Sequence, residues 1–431
     1  MYIPYEKIGN FICNFSPDIY QKQIKDFFYN KKVNQNCEYI EKNSKKVLKR
    51  LRDKIKKEKL KVCFLCDDKA KWKCQSLFDL MLADPHFEPV ILTTKNTARP
   101  PLKSCMTKET VKEVYNFFKA KNMPVQYAYD VEKDKHIPLQ NFKPDIIFYE
   151  QPWYIETKQG PVVCSKFALT CYVPYFISAS FSHMEYNLRF HQYVNYHYIL
   201  NKIFADFYSS KMNNKGKNLV VSGHPVLDFY YENCNEIKEK KYIIYAPHHS
   251  VGKSQINFAT FEWNGKFMLE YAKNHPEFKW IFKPHPNLYN NLISEKIMTK
   301  DETEQYYNEW DNIGLKYENS DYFDLFISSI AMITDSGSFL TEYLQTQNPV
   351  IRMVNPACVQ QNTFLDKILT GYYNVKDINE LSDALEKILI KQEDPKKDIR
   401  LNIIKELELN KVFAAQNILT HLKNELGIKN I

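Results

Sequence analysis

Glycine is scarce in this chain, at 10 of 431 residues. That scarcity argues against long flexible linkers. No G-x-G-x-x-G follows any strand-like run, which argues against a dinucleotide-dependent dehydrogenase. No apolar run approaches the ~20 residues needed to cross a bilayer. Residues 1–15 lack a basic start, an apolar block and a small-residue cleavage site, so they do not read as a secretory leader. The ten cysteines follow no paired spacing. Cys63 and Cys66 form a C-x-x-C, but inside Val62-Cys63-Phe64-Leu65-Cys66, which reads as a buried strand with small hydrophobic thiols. No motif demands a metal or a cofactor, and the cytosol is the expected compartment.

What is present is charge in one place and aromatic residues throughout. The net charge is +8, with 30 Tyr and 28 Phe. Lys42–Lys61 holds eleven basic residues against two acids, so the rest of the chain carries a net charge of −1. Such a body is not a nucleic-acid binder; it is a near-neutral enzyme-like body with one basic helix. Val47, Leu48, Leu51 and Ile55 recur at helical spacing, which predicts a helix over residues 43–60, with another over about 16–28. Two readings fit the basic helix: docking by its apolar stripe with a solvated basic face, or contact with an anionic membrane surface on the inner face of the plasma membrane.

From residue 61 a strand–helix rhythm begins. Strands are expected at 61–66, 89–94, 125–130, 144–149, 171–178 and 219–222, with helices at 72–82, 107–121 and 194–210. After the polar stretch 233–241 the rhythm repeats. Strands are expected at 242–246, 280–283, 331–334 and 349–353, and closing helices at 378–390 and 399–425. This alternation implies parallel βαβ units. The expected fold is α/β: two doubly wound, Rossmann-like sheets facing a cleft. Residues 1–60 would form a helical extension, 61–235 an acceptor-side domain and 236–431 a donor-side domain. In such sheets ligands bind beyond the C-terminal ends of the strands.

That rule selects the candidate residues. In the second half, Pro247-His248-His249-Ser250 follows one strand and Lys283-Pro284-His285-Pro286 another. Lys283 can pair a phosphate, and His285, held between prolines, can donate to a phosphate or move a proton. Asp335-Ser336-Gly337-Ser338 follows a third strand and leads toward a helix carrying Glu342. Hydroxyls and backbone N–H groups at that turn suit an anion, and Glu342 suits ribose hydroxyls. The same turn also fits an ordinary helix cap with no ligand. In the first half, Asp67, Glu150 and Gln151 end strands. His183, Glu185, Arg189 and His191 cluster after Tyr172-Val173-Pro174-Tyr175 and offer a general base, or simply the polar face of a helix.

These segments, in this order, resemble the CDP-glycerol glycerophosphotransferase family, of the teichoic-acid-polymerase type with relatives in capsule synthesis. That family's A-P-T-[WFY]-R, R-P-H-P, T-D-Y-S-S-x-x-F-D and K-P-V are similar to Ala246-Pro247-His248-His249-Ser250, Lys283-Pro284-His285-Pro286, Asp335-Ser336-Gly337-Ser338-Phe339-Leu340-Thr341-Glu342 and Asn348-Pro349-Val350. Gly223-His224-Pro225-Val226-Leu227-Asp228 resembles its G-x-P-[RK]-x-D. The family's W-H-G-T-x-x-K is not visible, and Tyr172–His191 stands in its place. The Asp335 loop is also similar to that of UDP-N-acetylglucosamine 2-epimerases. The resemblance implies a GT-B fold. It also implies a CDP-linked donor, release of CMP, and transfer of a glycerol-phosphate or similar unit to a surface-glycan hydroxyl. Lys283, His285, Ser336 and Ser338 would hold the diphosphate and Glu342 the ribose. His183 or His191 would take the acceptor proton, with His248 as a further catalytic candidate. Two other readings stand beside it at this point: a glycosyltransferase with a nucleotide-sugar donor, and a non-catalytic subunit of a capsule-assembly complex.

Overall fold

The structure, a computed structural model, describes residues 18–97, 107–177, 189–234, 239–252, 256–316, 322–337, 339–358, 363–409 and 413–428. Two compact units divide the chain. One comprises 1–175, 183–225 and 413–431; the other comprises 176–182 and 226–412.

The first unit is built on seven parallel strands: β1 (Leu60–Cys66), β2 (Phe87–Thr93), β3 (Val125–Tyr127), β6 (Ile146–Tyr149), β7 (Leu169–Tyr172), β8 (Tyr196–Ile199) and β9 (Leu219–Val221). A small antiparallel hairpin, β4 (Tyr129–Asp130) and β5 (Lys135–His136), stands beside it. The sheet order is β3-β2-β1-β6-β7-β8-β9. Both faces are covered, so β1 alternates between two cores. Val62, Phe64 and Cys66 join one core, and Cys63 and Leu65 the other. Cys63 and Cys66 therefore point to opposite faces and cannot share a ligand. Burial pushes the Cys63 thiol up to about 12.

The second unit carries β10 (Tyr242–Ala246), β11 (Lys279–Phe282), β12 (Leu315–Lys316), β13 (Ser329–Thr334), β14 (Val350–Met353) and β15 (Tyr373–Val375). Their order is β12-β11-β10-β13-β14-β15, again all parallel. Both sheets reverse direction beside their first strand: between β1 and β6, and between β10 and β13. Those are the topological switch points at which open α/β sheets bind ligands.

Three elements depart from the sequence expectation. The amino-terminal region is one helix, Asp18–Lys54, rather than two. Val33, Ile40, Val47 and Leu51 lie along one face of it and are all buried, so a continuous stripe outweighs the Asn-rich stretch between the expected helices. The expected helix over 194–210 is two elements, β8 and helix Lys202–Lys211, preceded by the short helix Arg189–Tyr193. The aromatic run Tyr196-His197-Tyr198-Ile199 favours a strand, and Asn201 restarts the helix by accepting the Phe204 N–H at 3.2 Å. The expected closing helix over 399–425 is two, Lys397–Glu406 and Ala414–Glu425, with Phe413 at φ +76° ahead of the second.

Helix Ala414–Glu425 belongs to the first unit, not to the donor-side half where the sequence placed it. Ile418, Leu419 and Leu422 enter the core around Phe64 and Phe148. Lys423 pairs with Asp84 at 2.8 Å, and Tyr198 Oη meets His421 at 3.0 Å. Arg52 Nε donates to the Glu425 carbonyl at 2.9 Å, placing a cation at the helix's negative end. The long amino-terminal helix is likewise part of the first unit rather than a separate extension. Lys54 pairs with the buried Asp145 at 2.7 Å, and Arg50 donates to the Phe167 carbonyl at 2.7 Å. Among the described residues, no helix is long and apolar enough to cross a membrane.

Candidate active site

At the switch point of the second sheet, the chain leaving β10, β11 and β13 gathers the residues that the sequence singled out. Asp335 is the knot. Its Oδ1 accepts the His248 N–H at 2.6 Å; its Oδ2 accepts the Thr260 N–H at 2.7 Å and the Thr260 hydroxyl at 2.9 Å. The side chain is only 2% exposed, and burial lifts its pKa to about 6 against those donors. Both oxygens thus pin two loops to β13, a role the sequence reading did not give to Asp335. Thr334 adds a lock, its hydroxyl donating to the Ala246 carbonyl at 2.7 Å and accepting the Ser336 N–H at 3.0 Å. Pro247 contributes its carbonyl, which takes the His285 N–H at 3.0 Å.

On this frame stand three imidazoles. Ring centres of His248 and His249 are 4.4 Å apart, His249 and His285 4.0 Å, and His248 and His285 5.4 Å. Their tautomers follow from their neighbours. Ser250 Oγ accepts the N–H groups of Phe258 and Ala259, so its proton goes to His248 Nδ1 at 2.9 Å. His285 Nδ1 accepts the Asn287 N–H at 3.1 Å. His249 Nδ1 accepts from the Asn291 amide at 3.2 Å. In each ring Nδ1 is the acceptor, so Nε2 carries the proton. Burial first, and mutual proximity second, hold His248 down to about 3 and His285 well below an ordinary imidazole; burial also lowers His249. The trio is neutral and offers N–H donors.

Lys283 supplies the cation. Its Nζ lies 5.0 Å from the ring centre of Tyr322 and 5.2 Å from that of Phe339, an aromatic clamp that holds the ammonium in place. Tyr322 in turn donates its hydroxyl to Glu342 Oε2 at 2.8 Å. Glu342 is 2% exposed. The structure therefore uses Glu342 to position the clamp around Lys283, where the sequence reading had it open to a ribose. The helix bearing it is short, Leu340–Leu344. Ser336 and Gly337 are buried in the turn after β13, and Ser338 lies outside the described residues. Thr260, Asn291 and Tyr322 were missed by the sequence reading. They sit in loops or short helices far along the chain, and no local pattern marks them.

The switch point of the first sheet gathers a different set. Lys71 Nζ reaches both oxygens of Asp67, at 3.1 and 3.2 Å, and the side-chain Oε1 of Gln151 at 2.8 Å. Asp67 also accepts from the amides of Gln151 and Asn96. Glu150 is 3% exposed, and its Oε1 accepts the Lys73 N–H at 3.2 Å. Burial pushes Glu150 up to about 8, so it is mostly protonated at neutral pH. Lys71 and Asn96 were missed. Asn96 follows β2 by three residues, and the rule of looking just past each strand would have found it.

Two other first-half candidates, Arg189 and His191, do not join this group. Arg189 packs over the Tyr29 ring, 4.5 Å from its centre, on the amino-terminal helix. His191 is an interior residue, stacked at 5.4 Å on Tyr172 and 4.9 Å on His197, and burial holds it down to about 3. A ring so enclosed cannot take a proton from an acceptor, so the structure corrects that expectation. His183 and Glu185 lie outside the described residues.

Two doubly wound units, each with polar side chains collected at its switch point, define a GT-B-like protein, and this chain is of that class. Its relatives make the assignment narrower. The family model of the CDP-glycerol:poly(glycerophosphate) glycerophosphotransferases matches residues 29–417, and the chain belongs to that family of transferases. No curated protein matches it. Among solved structures, a histidine-to-alanine variant of the wall teichoic acid polymerase TagF is similar, at 13% identity and a TM-score of 0.54; the match covers 91% of this chain and 98% of that one. A TagF variant soaked with CDPG matches equally, at 12% identity, a TM-score of 0.54 and the same coverage. MnaA of S. aureus in complex with UDP is similar at 14% identity and a TM-score of 0.52, covering 86% of this chain and 98% of that one. At these identities the shared feature is the fold.

Proposed function

We propose that this chain transfers a glycerol-phosphate or closely related phospho-polyol unit from a CDP-linked donor to a hydroxyl of a surface glycan. The acceptor oxygen attacks the donor's β-phosphorus, the bond from that phosphorus to the bridging oxygen of CMP breaks, CMP leaves with the bonding pair, and the proton of the acceptor hydroxyl passes to solvent. One observation carries the reading. His248, His249 and His285 each have Nδ1 occupied as an acceptor and so offer Nε2–H, beside the clamped Lys283. A site made of donors and one cation suits a diphosphate and stabilises the charge that develops on its oxygens. Family membership supplies the CDP-linked donor.

The test is a thermal-shift panel on the full chain with CMP, CDP-glycerol, UDP and UDP-N-acetylglucosamine. A ligand at ~100 times its dissociation constant adds ~2.7 kcal/mol to the folded state. The expected result is stabilisation by the cytidine compounds. A preference for the uridine compounds would overturn the donor assignment in favour of sugar transfer.

The basic helix supports a peripheral membrane location. Arg50, Arg52 and Lys54 are committed to the fold, while Lys42, Lys46, Lys49, Lys57 and Lys59 remain exposed. Each exposed lysine near an anionic surface contributes ~1 kcal/mol. The double variant Lys46→Glu/Lys49→Glu is expected to lose about tenfold or more in sedimentation with phosphatidylserine vesicles. Equal sedimentation of both proteins would refute a membrane-facing role for this helix.

A further inference from the structure

The three imidazoles of the second unit are not held alike. His285 Nδ1 accepts one N–H, from the Asn287 backbone, and His249 Nδ1 accepts one, from the Asn291 amide. His248 Nδ1 accepts two donors, the Ser250 hydroxyl at 2.9 Å and the Ser250 backbone N–H at 3.2 Å. Ser250 cannot reverse that bond. Its oxygen takes the N–H groups of Phe258 at 2.9 Å and Ala259 at 3.0 Å, which fills both lone pairs. A proton on His248 Nδ1 would meet a backbone N–H that cannot turn away and an oxygen with no acceptor site left.

The segment that fixes Ser250 is itself held from the end of β14. Asn355 donates its amide to the Ala259 carbonyl at 2.8 Å, while its Oδ1 accepts the Ala357 N–H at 2.9 Å. Asn257 returns the contact, donating to the Ala357 carbonyl at 3.3 Å. Its backbone sits at φ +47°, where asparagine is one of the few residues with a side chain that is tolerated. Next along, Thr260 is bonded to Asp335. The titratable groups beside the His248 ring are His249 and His285, and His285 in turn feels Lys283. Phe258 meets the ring edge-on, with centres 5.4 Å apart. Asp335 reaches the His248 backbone N–H, and among the described residues no carboxylate pairs with the ring.

We propose that Ser250 and Asn355 are positioning residues that lock His248 as a neutral Nε2–H donor, leaving any proton taken up by the trio to His249 or His285. A locked ring stabilises charge on a phosphate oxygen by a fixed hydrogen bond, while its neighbours remain able to change protonation state. The proposal rests on the transferase reading only for the identity of the ligand that meets Nε2–H.

The test is NMR on the full chain with nitrogen-15-labelled histidine, which reads tautomer and charge of each ring, with His248→Gln to assign the signals. Inorganic pyrophosphate is the probe. From about pH 5 to 8, the range in which an ordinary histidine titrates, His248 is expected to stay a neutral Nε2–H ring with and without pyrophosphate. His249 or His285 is expected to move toward the imidazolium when pyrophosphate binds. Asn355→Asp keeps the shape and the acceptor for Ala357 but loses the donor to Ala259. That variant and Ser250→Ala should each let His248 exchange between tautomers and lower kcat about tenfold, the scale of a slightly misplaced group, with the KM for CDP-glycerol changed less than about twofold. Asn355 is only half-buried, so its variant is expected to fold, and its melting curve checks this. An imidazolium or Nδ1–H signature for His248 in the unmodified chain would overturn the proposal. So would a rate loss in both variants with the His248 signature unchanged, which would reduce the two residues to loop packing. If the chain does not turn over CDP-glycerol, the donor assignment fails, and the spectra still decide the lock.

Discussion

His285→Ala lowers kcat/KM for CDP-glycerol about 10²–10³-fold, the loss seen when one pre-aligned donor to a developing oxyanion is removed. CMP release by the full chain is the readout. Folding should hardly change. His285 is half-buried, and the contact that anchors its loop is made by its backbone N–H to the Pro247 carbonyl, which alanine keeps. The pH dependence of donor binding has a definite sign. Burial holds His248 and His285 well below an ordinary imidazole and lowers His249 as well. A diphosphate beside Nε2–H favours the imidazolium and raises those values, so protons are taken up on binding and affinity strengthens as pH falls. Calorimetry in two buffers of different ionisation enthalpy measures that uptake. A normal rate for His285→Ala would remove the imidazole trio from the chemistry.

Asp335→Ala destabilises the second unit by about 3–5 kcal/mol, the cost of removing one partner from a buried charged network. Three donors lose their acceptor at once: the His248 N–H, the Thr260 N–H and the Thr260 hydroxyl. For a unit of this size each kcal/mol is worth about 2–4 °C in melting temperature. A drop near 10 °C is expected, with donor binding lost because the His248 loop is released. Asp335→Asn should fall between, since its amide can accept at one oxygen but not two. If Asp335→Ala melted normally and lost only donor affinity, the residue would be a ligand after all and the structural role would be refuted.

The sequence exposed the second unit's site because that site hangs on strand ends. The apolar run Tyr242–Ala246 stops at Pro247, Phe282 stops at Lys283, and Thr334 stops at Asp335. Each change from apolar strand to polar turn is local and visible. What those residues do was less visible. Asp335 looked like a ligand because its partner Thr260 lies in a loop with no pattern, 75 residues earlier. Glu342 looked like a ribose ligand because nothing local announces that Tyr322 would occupy it. His191 looked polar and accessible because the strand β8, which carries His197 against it, was read as a helix. The amino-terminal helix was split in two because Val33, Ile40 and Val47 sit seven residues apart, too sparse a stripe to show as a local period. In each case the deciding interaction spans a long sequence separation, and periodicity reports only neighbours.

Helix Ala414–Glu425 has a consequence for the order in which the protein can be made. The second unit is contiguous but for one short segment, and all of it is synthesised before this helix. Most of the first unit precedes the second in sequence, yet the core around Phe64 and Phe148 lacks Ile418, Leu419 and Leu422 until the second unit has been made. Of the two units, the one whose synthesis starts earlier is therefore the one completed later, and during elongation its apolar surface waits uncovered for a helix made after the whole of its neighbour.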